Sequence, residues 1–206
     1  MGLGRLAPMI TADVVLASSS PRRRDLLAAI GVQARVLAAD VDEAALPGED
    51  AEALVARLAA AKAEAVSARL RAAADPMASA LVIAADTVVV LGDQVLGKPV
   101  DAGEARAFIE RLAGRSHLVL TGHCLRRDGA RAARVQRTEV TFRALEDDEV
   151  VRYVASGEGD DKAGAYAIQG RGGGLVERIH GCYSNVVGLS LPTVITLARS
   201  LGVRLG

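Results

Sequence analysis

The run Leu16-Ala17-Ser18-Ser19-Ser20-Pro21-Arg22-Arg23-Arg24-Asp25-Leu26-Leu27 brings hydroxyls, free backbone donors and cations together at one turn. It reads as a strand end (Val14, Val15, Leu16), a serine turn and the opening of a helix. Ser20 suits the N-cap, and Pro21 fits the first helical position, where its missing N–H costs nothing. Arginines in a first helical turn meet the positive end of the helix dipole, at a cost of about 0.3–1 kcal/mol each. Set among free N–H groups and serine hydroxyls they make an anion site, and phosphate is the anion that fits it best. The plain alternative is a solvated basic helix start with Leu26, Leu27 and Ile30 buried, which suits Arg24 better than Arg22 and Arg23.

Four further groups could join that site. Asp86, in Ala84-Ala85-Asp86-Thr87, stands at the end of an apolar strand, where a carboxylate is costly unless it is paired or bound to a metal. Ligands commonly bind at such strand ends in α/β folds, although an Asp capping a turn is an equal reading. Lys98 is fixed between Gly97 and Pro99. The stretch from Asp160 to Gly174 is rich in small residues that admit close backbone approach, while Lys162, Gln169 and Arg171 supply donors. The Gln169 amide can read a base edge. Glu43, in Val41-Asp42-Glu43, offers a carboxylate for a hard cation, and Lys62 could reach a phosphate. Other schemes find no support. There is no G-x-x-x-x-G-K-[ST] loop, no G-x-S-x-G elbow and no H-E-x-x-H, and Leu175 stands where a dinucleotide fingerprint needs its third glycine. His117 and His123 read as structural.

These groups must be held by elements that the patterning outlines. An Ala-rich helix spans about residues 51–74, with Leu54, Val55, Leu58, Ala61, Ala65 and Leu70 as its stripe and Asp75-Pro76 as its stop. Leu81 to Ala85 reads as a buried strand, and Val88 to Leu91 with Gln94 to Leu96 as a hairpin about Gly92-Asp93. Asp101 and Glu104 form a capping box for a helix ending near Ala113-Gly114. Leu118 to Arg126 and Arg134 to Arg143 read as strands around Asp128-Gly129, and Glu146 to Ser156 and Leu191 to Leu201 as helices. Helices at both ends with hairpins between imply a mixed α/β sheet.

Composition bounds the rest. The 206 residues fit one domain of ordinary size, expected over 14–206 after a short extension at 1–13, with Met9 a second candidate start. Lys+Arg and Asp+Glu are equal at 25 each, so no global field favours a polynucleotide, and two Phe, three Tyr and no Trp offer few stacking platforms. No apolar run reaches the roughly 18 residues of a membrane span. Cys124 and Cys182 have no metal-site spacing and read as reduced, buried thiols of a cytoplasmic protein.

Ser18 through Arg23, Ala84-Ala85-Asp86-Thr87, Gly97-Lys98-Pro99, Gly114-Arg115-Ser116-His117 and Asp161-Lys162-Ala163-Gly164-Ala165-Tyr166 stand in the order found in Maf proteins. From Val14 to Leu201 the chain resembles that family, nucleoside triphosphate pyrophosphatases once named as septum-formation inhibitors. The resemblance implies an elongated mixed α/β sheet flanked by helices, with two lobes around a deep cleft, similar to the inosine triphosphate pyrophosphatases. It implies hydrolysis of a nucleoside triphosphate to the monophosphate and pyrophosphate with Mg²⁺ or Mn²⁺. Asp86 matches the family's proton acceptor and, with Glu43, a metal-binding carboxylate. Ser18, Arg22, Arg23, Lys62, Thr87, Lys98, Lys162 and Gln169 match substrate-binding positions. Arg22, Thr87 and Gln169 look like the subgroup acting on dTTP and UTP rather than the one acting on 7-methyl-GTP. A homodimer and a house-cleaning role are the family's pattern, and a non-catalytic nucleotide-binding regulator of cell division is the alternative. Two departures bear on loop shape: Gly157-Glu158-Gly159-Asp160 replaces a more usual proline-containing approach, and Ser190 stands where proline is common.

Overall fold

A computed structural model describes residues 13–205; the expected N-terminal extension, Met9 included, lies outside these residues apart from Asp13. In chain order the elements are β1 (Val14–Leu16), α1 (Pro21–Ala29), β2 (Ala34–Val36), α2 (Ala51–Ala72), β3 (Leu81–Leu91), β4 (Gln94–Leu96), α3 (Ala102–Leu112) and β5 (Ser116–Arg127). Then follow β6 (Ala130–Phe142), α4 (Asp147–Ala155), two 3₁₀ turns (Ala163–Ala165 and Gly170–Gly174), β7 (Val176–His180), α5 (Tyr183–Val187) and α6 (Leu191–Ser200). No described helix is long and apolar enough to cross a membrane.

All seven strands join one mixed sheet in the order β2-β1-β3-β5-β6-β7, with β4 beside β3. β1 runs parallel to β2 and β3, and every other pairing is antiparallel. The β5–β6 hairpin closes at Asp128-Gly129, both with positive φ (47° and 82°), the conformation that a tight primed turn requires.

α2 covers one face, packing Ala59, Ala63, Val66 and Leu70 onto Val15, Val82, Ala84 and Cys124. It lies unusually close because β5 offers Gly122 beneath it, where a Cβ would sit 2.1 Å from the Val55 carbonyl oxygen. On the other face, α1 and α6 bury Leu27, Val194 and Ala198 against Leu16, Ile83 and Leu125. Farther along that face, α3 and α4 bury Phe108, Ile109, Leu112 and Val150 against Val119, Val140 and Phe142.

Several sequence expectations change here. The stripe of α2 holds at Leu54, Val55, Leu58 and Leu70, but Ala61 and Ala65 are only half-buried, and Ala59, Lys62, Ala63 and Val66 are buried as well. The predicted break between residues 85 and 88 is absent, since β3 is a single strand paired with β5 from Val82 to Val90. Asp86 is therefore in mid-strand, not at a strand end. β2, β7 and α5 are too short, and too dependent on their neighbours, to have shown a period in the sequence. Cys124 is buried and Cys182 half-buried, and both are free thiols.

Candidate active site

The site begins as a gap in the sheet. β5 lines one edge of β3 without interruption, but the other edge is shared by two short strands. β1 pairs with Leu81 to Ile83, and β4 with Val89 to Leu91. Residues 84–88 have no strand on that side, and there the sheet opens into a cleft of about 520 Å³. Asp86 and Thr87 lie in the gap and, by strand alternation, point to opposite faces. Because the cleft straddles the strand edge, both reach it.

On the α2 face, Lys62 meets two carboxylates. Its Nζ lies 2.6 Å from Asp86 Oδ1 and 2.5 Å from Glu43 Oε1. Lys62 and Asp86 are each 8 % exposed, whereas the Glu43 side chain is 55 % exposed. The hydrogen bond from Lys62 holds the Glu43 carboxyl below the usual carboxylate range, with Lys98 and Arg23 adding to the pull. The buried face of α2 thus carries Lys62 inward to Asp86.

On the opposite face stands Arg23, four of whose five guanidinium N–H donors are taken up by the protein. Nε donates to the Gly188 carbonyl (2.8 Å), Nη1 to the Ala85 carbonyl (2.8 Å) and Ser18 Oγ (3.1 Å), and Nη2 to Thr87 Oγ1 (3.1 Å). The Ala85 carbonyl lies in the unpaired edge, so the arginine takes the place of a missing strand. Thr87 Oγ1 also bonds Thr121 Oγ1 (3.0 Å), which donates to the Asn185 carbonyl (3.2 Å). Arg23 and Thr87 therefore brace the strand that carries Asp86 while both also line the cleft, as substrate-binding residues would.

Ser20 occupies the N-cap of α1 by its backbone, yet its side chain caps nothing, and its N–H donates to Ser18 Oγ (3.2 Å). The first-turn donors of α1 thus face the cleft uncapped, as an anion would require. Arg22 reaches across the mouth to Asp161 (3.3 Å), and Lys162 pairs with the same carboxylate. Arg24 turns away and pairs with Asp25 on the surface. Lys98 lines the cleft with no hydrogen bond or ion pair among the described residues, and Gln169 stands exposed at the rim. Ser18, Arg22, Arg23, Glu43, Lys62, Asp86, Thr87, Lys98, Lys162 and Gln169 all line this one cavity. Arg171 does not; its backbone N–H and that of Gly172 donate to the Glu158 carboxylate (2.9 and 2.8 Å), which pins the turn after Gln169.

Three supporting residues escaped the sequence. Thr121 and Asn185 are fully buried polar groups in apolar surroundings, and Asn185 Nδ2 donates to the Val119 carbonyl and Thr138 Oγ1. Asp161 has no signal in the sequence beyond its place before Lys162-Ala163-Gly164. A polar residue alternating inward within an apolar strand is the one signal that could have found Thr121; Asn185 had none. His117 and His123 are structural. Burial lowers both to about 4, and His117 bonds the Tyr166 hydroxyl (2.8 Å) while His123 Nε2 accepts the Ser190 N–H (2.9 Å). That last bond explains Ser190, since a proline there has no N–H to give.

The residues fit a divalent ion. Asp86 and Glu43 converge on a single ammonium, so one cation can touch both, and a pair of carboxylates completed by waters and phosphate oxygens is the donor set that Mg²⁺ favours. Comparison with known proteins agrees with this architecture. The family model described as "Maf-like protein" matches residues 13–201. The chain is 50% identical over 192 residues to the dTTP/UTP pyrophosphatase of Myxococcus xanthus (strain DK1622), covering 93% of this chain and 94% of the relative. It is 48% identical to the dTTP/UTP pyrophosphatases of Anaeromyxobacter dehalogenans (strain 2CP-1 / ATCC BAA-258) over 193 residues (92% and 94% of the two chains) and of Aromatoleum aromaticum (strain DSM 19018 / LMG 30748 / EbN1) over 203 residues (94% and 97%). With nearly its whole length matched, in a fold whose gapped sheet gathers the expected polar residues, the chain belongs to the Maf-like protein family.

Proposed function

We propose that this protein hydrolyses dTTP and UTP to the monophosphate and pyrophosphate. The observation that carries the reading is a carboxylate, Asp86, held by Lys62 in the same cleft that the uncapped start of α1 lines. The activity for which the relatives are named supplies the substrate. The first-turn N–H groups of α1, with Arg22, Lys98 and Lys162, take the triphosphate's charge; positioning and charge stabilisation are most of what phosphoryl chemistry asks. Asp86 orients a water and accepts its proton as the water attacks the α-phosphorus and pyrophosphate leaves. A divalent ion, held by Glu43 and Asp86, would supply Lewis-acid neutralisation of the phosphate oxygens. Arg23 and Thr87 keep the strand edge rigid beneath Asp86, and Gln169 at the rim offers an amide to the pyrimidine edge.

The purified protein should release pyrophosphate from dTTP and UTP with Mg²⁺ or Mn²⁺, and chelation should abolish the release. Gln169→Ala should flatten the ranking among natural triphosphates more than it lowers total activity. Nucleotide binding without pyrophosphate release would favour a regulator instead. A ranking led by 7-methyl-GTP would overturn the substrate and keep the reaction. The reading takes the protein as a cytoplasmic homodimer on the family resemblance.

A further inference from the structure

Both halves of this site are neutralised from within. The two carboxylates suited to a metal, Glu43 and Asp86, share the Lys62 ammonium at 2.5 and 2.6 Å. The two cations suited to phosphate at the mouth, Arg22 and Lys162, share the Asp161 carboxylate. An ammonium between two carboxylates occupies the position where a divalent ion would touch the same oxygens, and a carboxylate between two cations occupies that of a phosphate.

We propose that Lys62 is a built-in stand-in cation, which bars free divalent metal from Glu43 and Asp86 and yields only when the metal arrives with a triphosphate. This rests on reading the site as that of a metal-dependent nucleotide pyrophosphatase. The physical argument is one of competition. Metal alone must displace a buried ammonium that has no other acidic partner among the described residues, and burying an unpaired charge is costly. When the nucleotide enters as well, its phosphate oxygens offer the displaced ammonium a new anion, so the exchange exchanges one ion pair for another. Asp161 completes the symmetry: the incoming phosphates replace its carboxylate on Arg22 and Lys162 as the metal replaces Lys62. Lys62 is thus a positioning residue that holds Glu43 and Asp86 together before substrate binds, and it couples the affinities of metal and nucleotide.

The test is Mn²⁺ binding, followed by calorimetry and by the electron-spin signal of free Mn²⁺, with no turnover involved. Wild-type protein should bind Mn²⁺ weakly alone and at least about tenfold more tightly with the non-hydrolysable α,β-imido-dUTP, within the range of site–site coupling. Lys62→Gln should bind Mn²⁺ alone at least about tenfold more tightly than wild type, and Lys62→Arg, which keeps a cation, should remain weak. A K62Q protein with unchanged Mn²⁺ affinity overturns the proposal. Should K62Q fail to fold, wild-type affinity for Mn²⁺ that is indifferent to the analogue overturns it equally. The proposed function fails by a different result, absence of pyrophosphate release by wild type, and that result leaves the K62Q comparison readable.

Discussion

Arg23 sets a sharp test at the level of single residues. Lysine can keep its charge but not its geometry, since four acceptors on three chain segments are met by one planar fork. Arg23→Lys should leave the Ala85 and Gly188 carbonyls short of donors and destabilise the fold by about 1–3 kcal/mol, read from urea unfolding. If bracing the strand is its main role, its kcat should fall while KM for UTP moves little. A large rise in KM alone would return Arg23 to the phosphate. Asp86→Asn removes the proton acceptor with almost no change of shape. Steady-state kinetics should show kcat lower by about 10²-fold or more, with an unchanged circular dichroism spectrum. Near-normal turnover would remove Asp86 from the chemistry.

The element that decides how well Gln169 is presented is the turn from Gly170 to Gly174. Glu158 holds it by two backbone donors, and Tyr153 adds a long contact from its hydroxyl to Glu158 (3.4 Å). The segment Gly157-Glu158-Gly159-Asp160, which departs from the family's usual approach, thus supplies its own anchor. Gly159 is needed for the close crossing, because a Cβ there would lie 1.9 Å from the Ala165 carbonyl oxygen. Glu158→Ala should free the turn and raise KM for dTTP and UTP several-fold, about 1 kcal/mol at one hydrogen bond's net worth, with kcat nearly kept. Equal loss in kcat and kcat/KM would mean that the turn acts in the transition state instead.

For the molecule as a whole, the two buried histidines dictate a response to acid. Burial lowers His117 and His123 to about 4 from 6.5, and Arg23's charge adds to the effect at His123. Between those pH values the unfolded chain binds protons that the folded chain refuses. Stability is therefore fully present above about pH 6.5 and is lost as pH falls toward 4, by about a factor of ten in the folding constant per pH unit for each histidine. Urea midpoints at pH 7, 5.5 and 4.5 measure this directly. A flat profile across that window would mean that both rings titrate normally in the fold.

Much of the site was legible because its residues are local in sequence. The serine turn opening into Pro21-Arg22-Arg23, the strand bearing Asp86 and the glycine-rich stretch around Gln169 each announce a chemistry through composition and periodicity, as do the long helix and the two hairpins. What sequence could not decide is which face a residue presents and where a strand lacks a neighbour. Lys62 counts as a solvated lysine until the close approach of α2 at Gly122 turns it onto Asp86. Arg23 reads from the sequence only as a phosphate ligand, and it is the missing strand beside residues 84–88 that also gives it the Ala85 carbonyl to satisfy. Asp86 looks like a strand end because its polar side chain interrupts an apolar run, yet nine consecutive pairings with β5 keep the strand continuous. Local propensity is written along the chain, whereas hydrogen-bond satisfaction and close packing are settled between segments distant in sequence, and those interactions decide which partners each cation of the site meets.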